Sequence, residues 1–344
     1  MILRYFAGRK PDPDKGSRIS VQERKHFDEI RDRGLEILNR MALPDDFGEA
    51  EKRIRAEFML HHRWMGYRDA ELSLGKELAA VELVPGLAFV FMFHGDGRIR
   101  EHALCNLGGP LPSPANVFAV LRRLNDWVPQ VRNAARDAAL RSLPETSASV
   151  IVPALKSLLP GVSSWLRWEE SGREIFGAVL RRADVAEALL ATVISSREPK
   201  LGLVFRELSR SQSIDPQLER VWREARLPHI RAMALGALLC GKVTLPSHET
   251  RRVWIDRSLD RYRLEPVFLS RDVTVRPDRL ALIAEAARDR MAIIRKRAAD
   301  GLVLLRNDPD LRPHLEQTAR RLENDPNMGV RERVAFFLKA QVNL

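Results

Sequence analysis

Apolar residues recur along this chain at the spacing of helix faces, in short segments separated by proline, glycine and aspartate. Ser20-Val21-Gln22-Glu23 has the form of a capping box, and Phe27, Ile30, Leu35, Ile37 and Leu38 follow it. That order predicts a helix ending near Met41, because serine and glutamate satisfy each other's free backbone N–H groups at a helix start. Pro44-Asp45-Asp46 interrupts the pattern. Further helices are predicted over 48–65, with Ile54, Phe58, Met59 and Leu60 on one face, and over 70–83. Short paired segments then begin. Residues 86–93 pair with 99–107, which Gly108-Gly109-Pro110 ends. Ser113, with Pro114 at the first helical position, caps a helix whose stripe is Val117, Phe118, Leu121 and Leu124. Its partner covers 131–143, and the next pair begins near Ser149. Helices follow over 184–195, 199–211, 215–226, 229–240, 248–263, 277–290, 292–305, 313–324 and 330–341. Residues 266–274 read as a connection, and no stretch alternates as a half-buried strand would.

One motif recurs in the second member of each pair. Ile99-Arg100-x-x-Ala103 is matched by Val131-Arg132-x-x-Ala135 after 32 residues and by Ile230-Arg231-x-x-Ala234 after a further 99. Ile294-Arg295-x-x-Ala298 follows after 64 and Val330-Arg331-x-x-Val334 after 36. These steps approximate whole multiples of one two-helix unit, the mark of a stacked repeat array. Small residues such as Ala135, Ala138, Ala298 and Gly301 let helices approach closely, so the motif marks the inner helix of each hairpin.

The pattern resembles the HEAT-repeat family in its short phycobilisome-lyase variety. There an Asp opens the second helix, a Val-Arg pair begins it, and the first helix carries a run such as Val152-Pro153-Ala154-Leu155. The resemblance covers roughly residues 80–344. It implies an all-α fold, a right-handed α-α superhelix (a HEAT-like solenoid) of about seven or eight hairpins. The chain then divides into a poorly ordered lead-in over 1–19, an N-terminal helical cap over 20–83 and the array over 84–344. Trp165-Leu166-Arg167-Trp168 stands where one motif is due, so 161–210 keeps the lattice only loosely.

Composition narrows the class. A chain of 344 residues with 45% hydrophobic and 30% charged side chains is expected to fold. Its longest apolar run, residues 83–93, is far below the roughly 20 residues that span a bilayer. The first residues lack the apolar core of a secretory leader, so a cytoplasmic location without membrane contact is expected. Cys105 and Cys240 are too few for a disulfide framework and sit among apolar residues, which predicts buried free thiols. Only ten of the 57 basic residues behind the net charge of +11 are lysine. That arginine excess is diffuse and also follows from a GC-rich genome.

Arg100, Arg132, Arg231, Arg295 and Arg331 hold one position in every copy, which assigns them to a structural ladder between repeats. The binding candidates lie beside them: Trp127, Arg132, Arg136, Lys296, Arg297 and Arg333. Lys296, Arg297 and Arg333 fall in first turns of inner helices, where a cation opposes the helix dipole by about 0.3–1 kcal/mol. A bound anion reverses that sign. Arg132 and Arg136, like Arg257 and Arg261, are four apart and share a face if helical, with Asp137 and Asp256 as the simpler counter-charges. Trp127 and the Trp165/Trp168 pair read first as aromatics closing hairpin cores, and alternatively as stacking groups for nucleic acid.

No catalytic set, metal set or cofactor is implied. The sequence has no His-Glu-x-x-His site, glycine-rich phosphate loop, Gly-x-Ser-x-Gly elbow or cysteine cluster. His61 and His62 are adjacent on a predicted helix and point apart. The lone His248-Glu249 pair is too little for the iron site of deoxyhypusine hydroxylases. The expected function is therefore non-catalytic recognition of a protein partner of acidic character on the concave surface, as an adaptor, regulator or toxin-neutralising protein. The alternative is nucleic-acid binding, extending to the HEAT-like alkylpurine DNA glycosylases. Asp126, Trp127, Arg132 and Arg136 supply the residue types of that group without its motif.

Overall fold

The computed structural model describes residues 19–40, 47–57, 74–167 and 170–339. The lead-in up to residue 18, His61, His62 and Trp168 lie outside these residues. The chain divides into two compact units, Met1–Val179 and Leu180–Leu344. Both are mostly helical.

The first unit holds α1 (Val21–Arg40), α2 (Phe47–Glu57), α3 (Leu74–Leu83) and the single turn α4 (Ala88–Phe91). It continues with α5 (Gly97–Cys105), α6 (Pro114–Arg123), α7 (Pro129–Ser142), α8 (Ala148–Leu158) and most of α9 (Glu170–Arg181). The capping box forms at α1: Ser20 N–H donates to Glu23 Oε2 at 2.7 Å and Glu23 N–H to Ser20 Oγ at 3.2 Å. Lys76 of α3 also donates to Glu23, and with the serine it holds that carboxyl down to about 2. Ser113 caps α6 by accepting from Asn116 N–H, and Val117, Phe118, Leu121 and Leu124 are buried. Packing alternates. Helix α5 lies between α3 and α7, while α6 packs on α7 and α8. A 3-10 segment, Leu159–Ser164, stands where the partner of α8 is due.

Charge seals the start of this stack. Glu51 of α2 accepts from Arg55 at 2.7 Å and from Arg123 of α6, and Arg55 Nε donates to the Phe93 carbonyl at 2.6 Å. Burial alone raises the Glu51 pKa, but Arg123 and Arg55 outweigh it and leave the carboxyl below its ordinary value.

The second unit holds α10 (Ala183–Ser195), α11 (Leu201–Leu208), α12 (Leu218–Glu224) and α13 (Pro228–Cys240). After a ribbon come α14 (Arg279–Ala286), α15 (Ala292–Leu304), α16 (Arg312–Leu322) and α17 (Met328–Lys339). The motif helices α13, α15 and α17 pack in succession, and α14 packs on α16. Gly301 of α15 makes the close approach possible, since a Cβ there would lie 2.9 Å from two atoms of the Ile283 side chain.

The ribbon overturns part of the all-α expectation. Residues 248–263 are not helical and 266–274 are not a plain connection. β1 (Lys242–Asp256) and β2 (Arg261–Asp272) form a two-stranded antiparallel sheet, with Arg252 opposite Leu264 and Trp254 opposite Tyr262. The strand formers Val253, Trp254, Tyr262, Val267 and Phe268 are present. Apart from Val243 and Leu245 at its base, the ribbon buries neither face, so no apolar alternation marks it. Residues 215–226 are also shorter as a helix than expected, with a 3-10 segment, Gln212–Gln217, before α12.

The two thiols differ from expectation as well. Cys105 and Cys240 are exposed, because each is the last residue of its helix (α5 and α13) and lies off the buried stripe.

Gly301→Ala is expected to destabilise the protein by about 1 kcal/mol. Overpacking against the buried Ile283 costs about 1–3 kcal/mol and exceeds the roughly 1 kcal/mol gained in helix propensity. Gly48→Ala, in open space on α2, is expected to be neutral or stabilising. Urea unfolding of the two variants checks the opposite signs.

Candidate functional site

Three aspartates, Asp126 and Asp325 buried and Asp289 half-buried, organise the turns that lead into motif helices. Arg100 is 1% exposed and donates from Nε and Nη2 to the Asp126 carboxylate at 3.2 and 2.9 Å. Its Nη1 donates to the His94 and Gly95 carbonyls of its own turn, both at 2.9 Å. Asp126 in turn accepts from Val128 N–H at 3.0 Å, and its carbonyl accepts from Arg132 at 3.0 Å. The arrangement recurs in the second unit. Arg231 donates to Asp289, which accepts from Met291 N–H, while the Asp289 carbonyl accepts from Arg295 at 2.9 Å. Arg295 donates to Asp325, which accepts from Asn327 N–H, and the Asp325 carbonyl accepts from Arg331 at 2.6 Å.

Each aspartate stands six residues before its own motif arginine. Sequence reasoning named the arginines and missed these acids as a set. Two substitutions hid them: His94 fills the place before Arg100, accepting from Asp96 N–H through Nδ1, and Ala225 fills it before Arg231. There Arg231 donates to the Trp222 carbonyl and stacks on the Trp222 ring at 4.9 Å.

The other candidates fall in two places. In the first unit Trp127 is 54% exposed and closes no core, because its neighbour Asp126 takes the buried slot. Trp165 does close one, edge-on to Phe176 at 5.7 Å and under the Arg122 guanidinium. Arg132 is engaged with the Asp126 carbonyl, and Arg136 pairs with Asp137 at 3.1 Å.

In the second unit three candidates converge. Arg297 of α15 and Arg333 of α17 share the Asp300 carboxylate. The Lys296 Cε and Arg333 Nη1 both reach the surface of Gly329. One acid thus faces two arginines, with Lys296 adjoining them at Gly329. Exposed Ile293 and Leu304 lie on the same helix as Lys296 and Arg297 at helical spacing, and exposed Phe336 follows Arg333 one turn on with Arg306 over its ring at 5.1 Å. The face is mixed apolar and basic.

The ribbon is anchored at its base alone. Asp215 is fully buried and accepts from Arg271 at 2.8 and 3.0 Å and from the Thr274 N–H at 2.8 Å. Arg271 also donates to the Ser209 and Ser211 carbonyls, and Arg210 donates to the Pro246 carbonyl at 2.8 Å. Arg257 and Arg261, expected on one helix face, flank the ribbon tip instead.

Among the described residues no group of three or more His, Cys, Asp or Glu is placed to hold a metal ion. No helix there is long and apolar enough to cross a membrane. No protein-family model matches the chain, and no curated protein matches it.

Two outcomes follow from the buried acids. The Arg295 hydrogen bond holds the Asp325 carboxyl below its ordinary range. Its contribution to stability is therefore complete above the ordinary aspartate value of about 3.9 and is lost as pH falls through the lower folded value. Asp325→Asn is expected to lower the melting temperature at neutral pH and to flatten that part of the acid limb. Asp215→Ala leaves the half-buried Arg271 without its carboxylate and is expected to cost about 1–3 kcal/mol, with amide exchange accelerating first at both ends of the ribbon.

Proposed function

We propose that the chain is a HEAT-like repeat scaffold that binds an acidic protein partner and carries out no chemistry on it. The Val/Ile-Arg spacing, the alternating helix packing and the recurring Asp–Arg turn support this family reading. In it the motif helices stack as a right-handed superhelix and line the concave side.

The observation that carries the binding role is the α15–α17 face. Arg297 and Arg333 converge on the Asp300 carboxylate, with Lys296 adjoining at Gly329, beside exposed Ile293, Leu304 and Phe336. Arginine beside exposed apolar groups is the composition of a protein interface. The surplus positive charge would speed encounter with an acidic surface. An adaptor, a regulator or a toxin-neutralising protein would each use such a face.

The test compares affinity capture from the source cell by the full chain and by the triple variant Lys296→Glu/Arg297→Glu/Arg333→Glu. Circular dichroism confirms that the variant folds. One stoichiometric acidic companion is expected with the natural chain and none with the variant. A companion retained by both would remove this face from the interface, and no companion at all would remove the function.

A further inference from the structure

Beyond its base the ribbon carries chemistry that neither the helix packing nor the α15–α17 face uses. The register puts Thr250, Arg252 and Trp254 on the same side as Pro266, Leu264 and Tyr262. On that side the Arg252 guanidinium lies 4.7 Å above the Tyr262 ring, and Trp254 meets Tyr262 edge-on at 5.6 Å. Trp254, Tyr262 and Leu264 are exposed.

The opposite side carries Arg251, Val253, Arg263 and Glu265, where Glu265 binds both arginines. At the tip Asp256 is occupied by the Ser258 N–H and hydroxyl. Five arginines face three carboxylates between Thr250 and Pro266. Arg252, Arg257 and Arg261 have no carboxylate partner among the described residues.

We propose that this arm binds single-stranded nucleic acid. Unpaired bases stack on Trp254 and beside the Arg252–Tyr262 pair, while Arg257 and Arg261 hold backbone phosphates. Both halves of the surface need a match. A duplex keeps its base faces stacked against one another, and an acidic polypeptide offers charge without π faces. Unpaired nucleotides supply phosphate and aromatic face together. The proposal is independent of the protein-partner reading, since the two surfaces share no residue.

The experiment is fluorescence anisotropy of the full chain with labelled oligothymidine, at low and moderate salt, beside a labelled duplex and with polyglutamate as competitor. Oligothymidine is expected to bind in preference to duplex, with affinity falling as salt rises. Trp254→Ala is expected to weaken it about ten-fold with little change in salt slope, and Trp254→Phe to restore most of the loss. Arg257→Glu/Arg261→Glu is expected to reduce the slope. No binding at low salt, duplex bound as well or better, polyglutamate competing equally, or an unchanged Trp254→Ala variant would each overturn the assignment.

Discussion

The interaction on which the helix packing depends is a buried or half-buried carboxylate used from both sides. Asp126, Asp289 and Asp325 each accept a guanidinium from the preceding motif helix with their side chain, and each caps its own turn with the same group. The backbone carbonyl of the same residue receives the arginine of its own helix. A single residue thus sets the entry angle of one helix and its offset from the next. Buried charge of this kind adds little net stability compared with apolar packing, while losing one partner strands the other in a low dielectric. Its value lies in admitting one register.

That division of labour explains which arginines are free for other work. The motif arginines are committed to the turns: each donates to a backbone carbonyl, and Arg100, Arg231 and Arg295 also bind an aspartate of the next motif turn. The residues close to them in sequence, Lys296, Arg297 and Arg333, are rotated outward by the helix, where Asp300 is the carboxylate that Arg297 and Arg333 share. In the first unit the same geometry gives a different surface, because Asp137 neighbours Arg136 directly. The diffuse positive charge of the chain therefore resolves into local surpluses on the second unit.

Much of the helical pattern was legible because each helix buries one face, so its apolar residues recur at the turn spacing. The capping box at Ser20 and the Ser113–Pro114 start were legible for a local reason: their hydrogen bonds lie within four residues. The acids of the ladder were present in the sequence but disguised. Asp96 mimicked their place in the first copy, where His94 performs the role, and Ala225 left the third copy blank. The ribbon gave no periodic signal, since a strand wetted on both faces has no reason to alternate. Trp127 was misjudged as a core residue because composition does not reveal which of two adjacent side chains, Asp126 or Trp127, the turn buries.

The ribbon's two ends meet. Gly241, in the left-handed conformation at φ 67°, closes α13, and the Val273 N–H returns to its carbonyl at 2.9 Å. Arg231 and Asp289 still join across this excursion, although 58 positions separate them. The strands are therefore a branch hung from a closed helical trunk, attached through one narrow neck. Such a branch can lengthen, shorten or exchange its side chains without disturbing the helices beneath, which makes it the part of the molecule most open to acquiring new specificity.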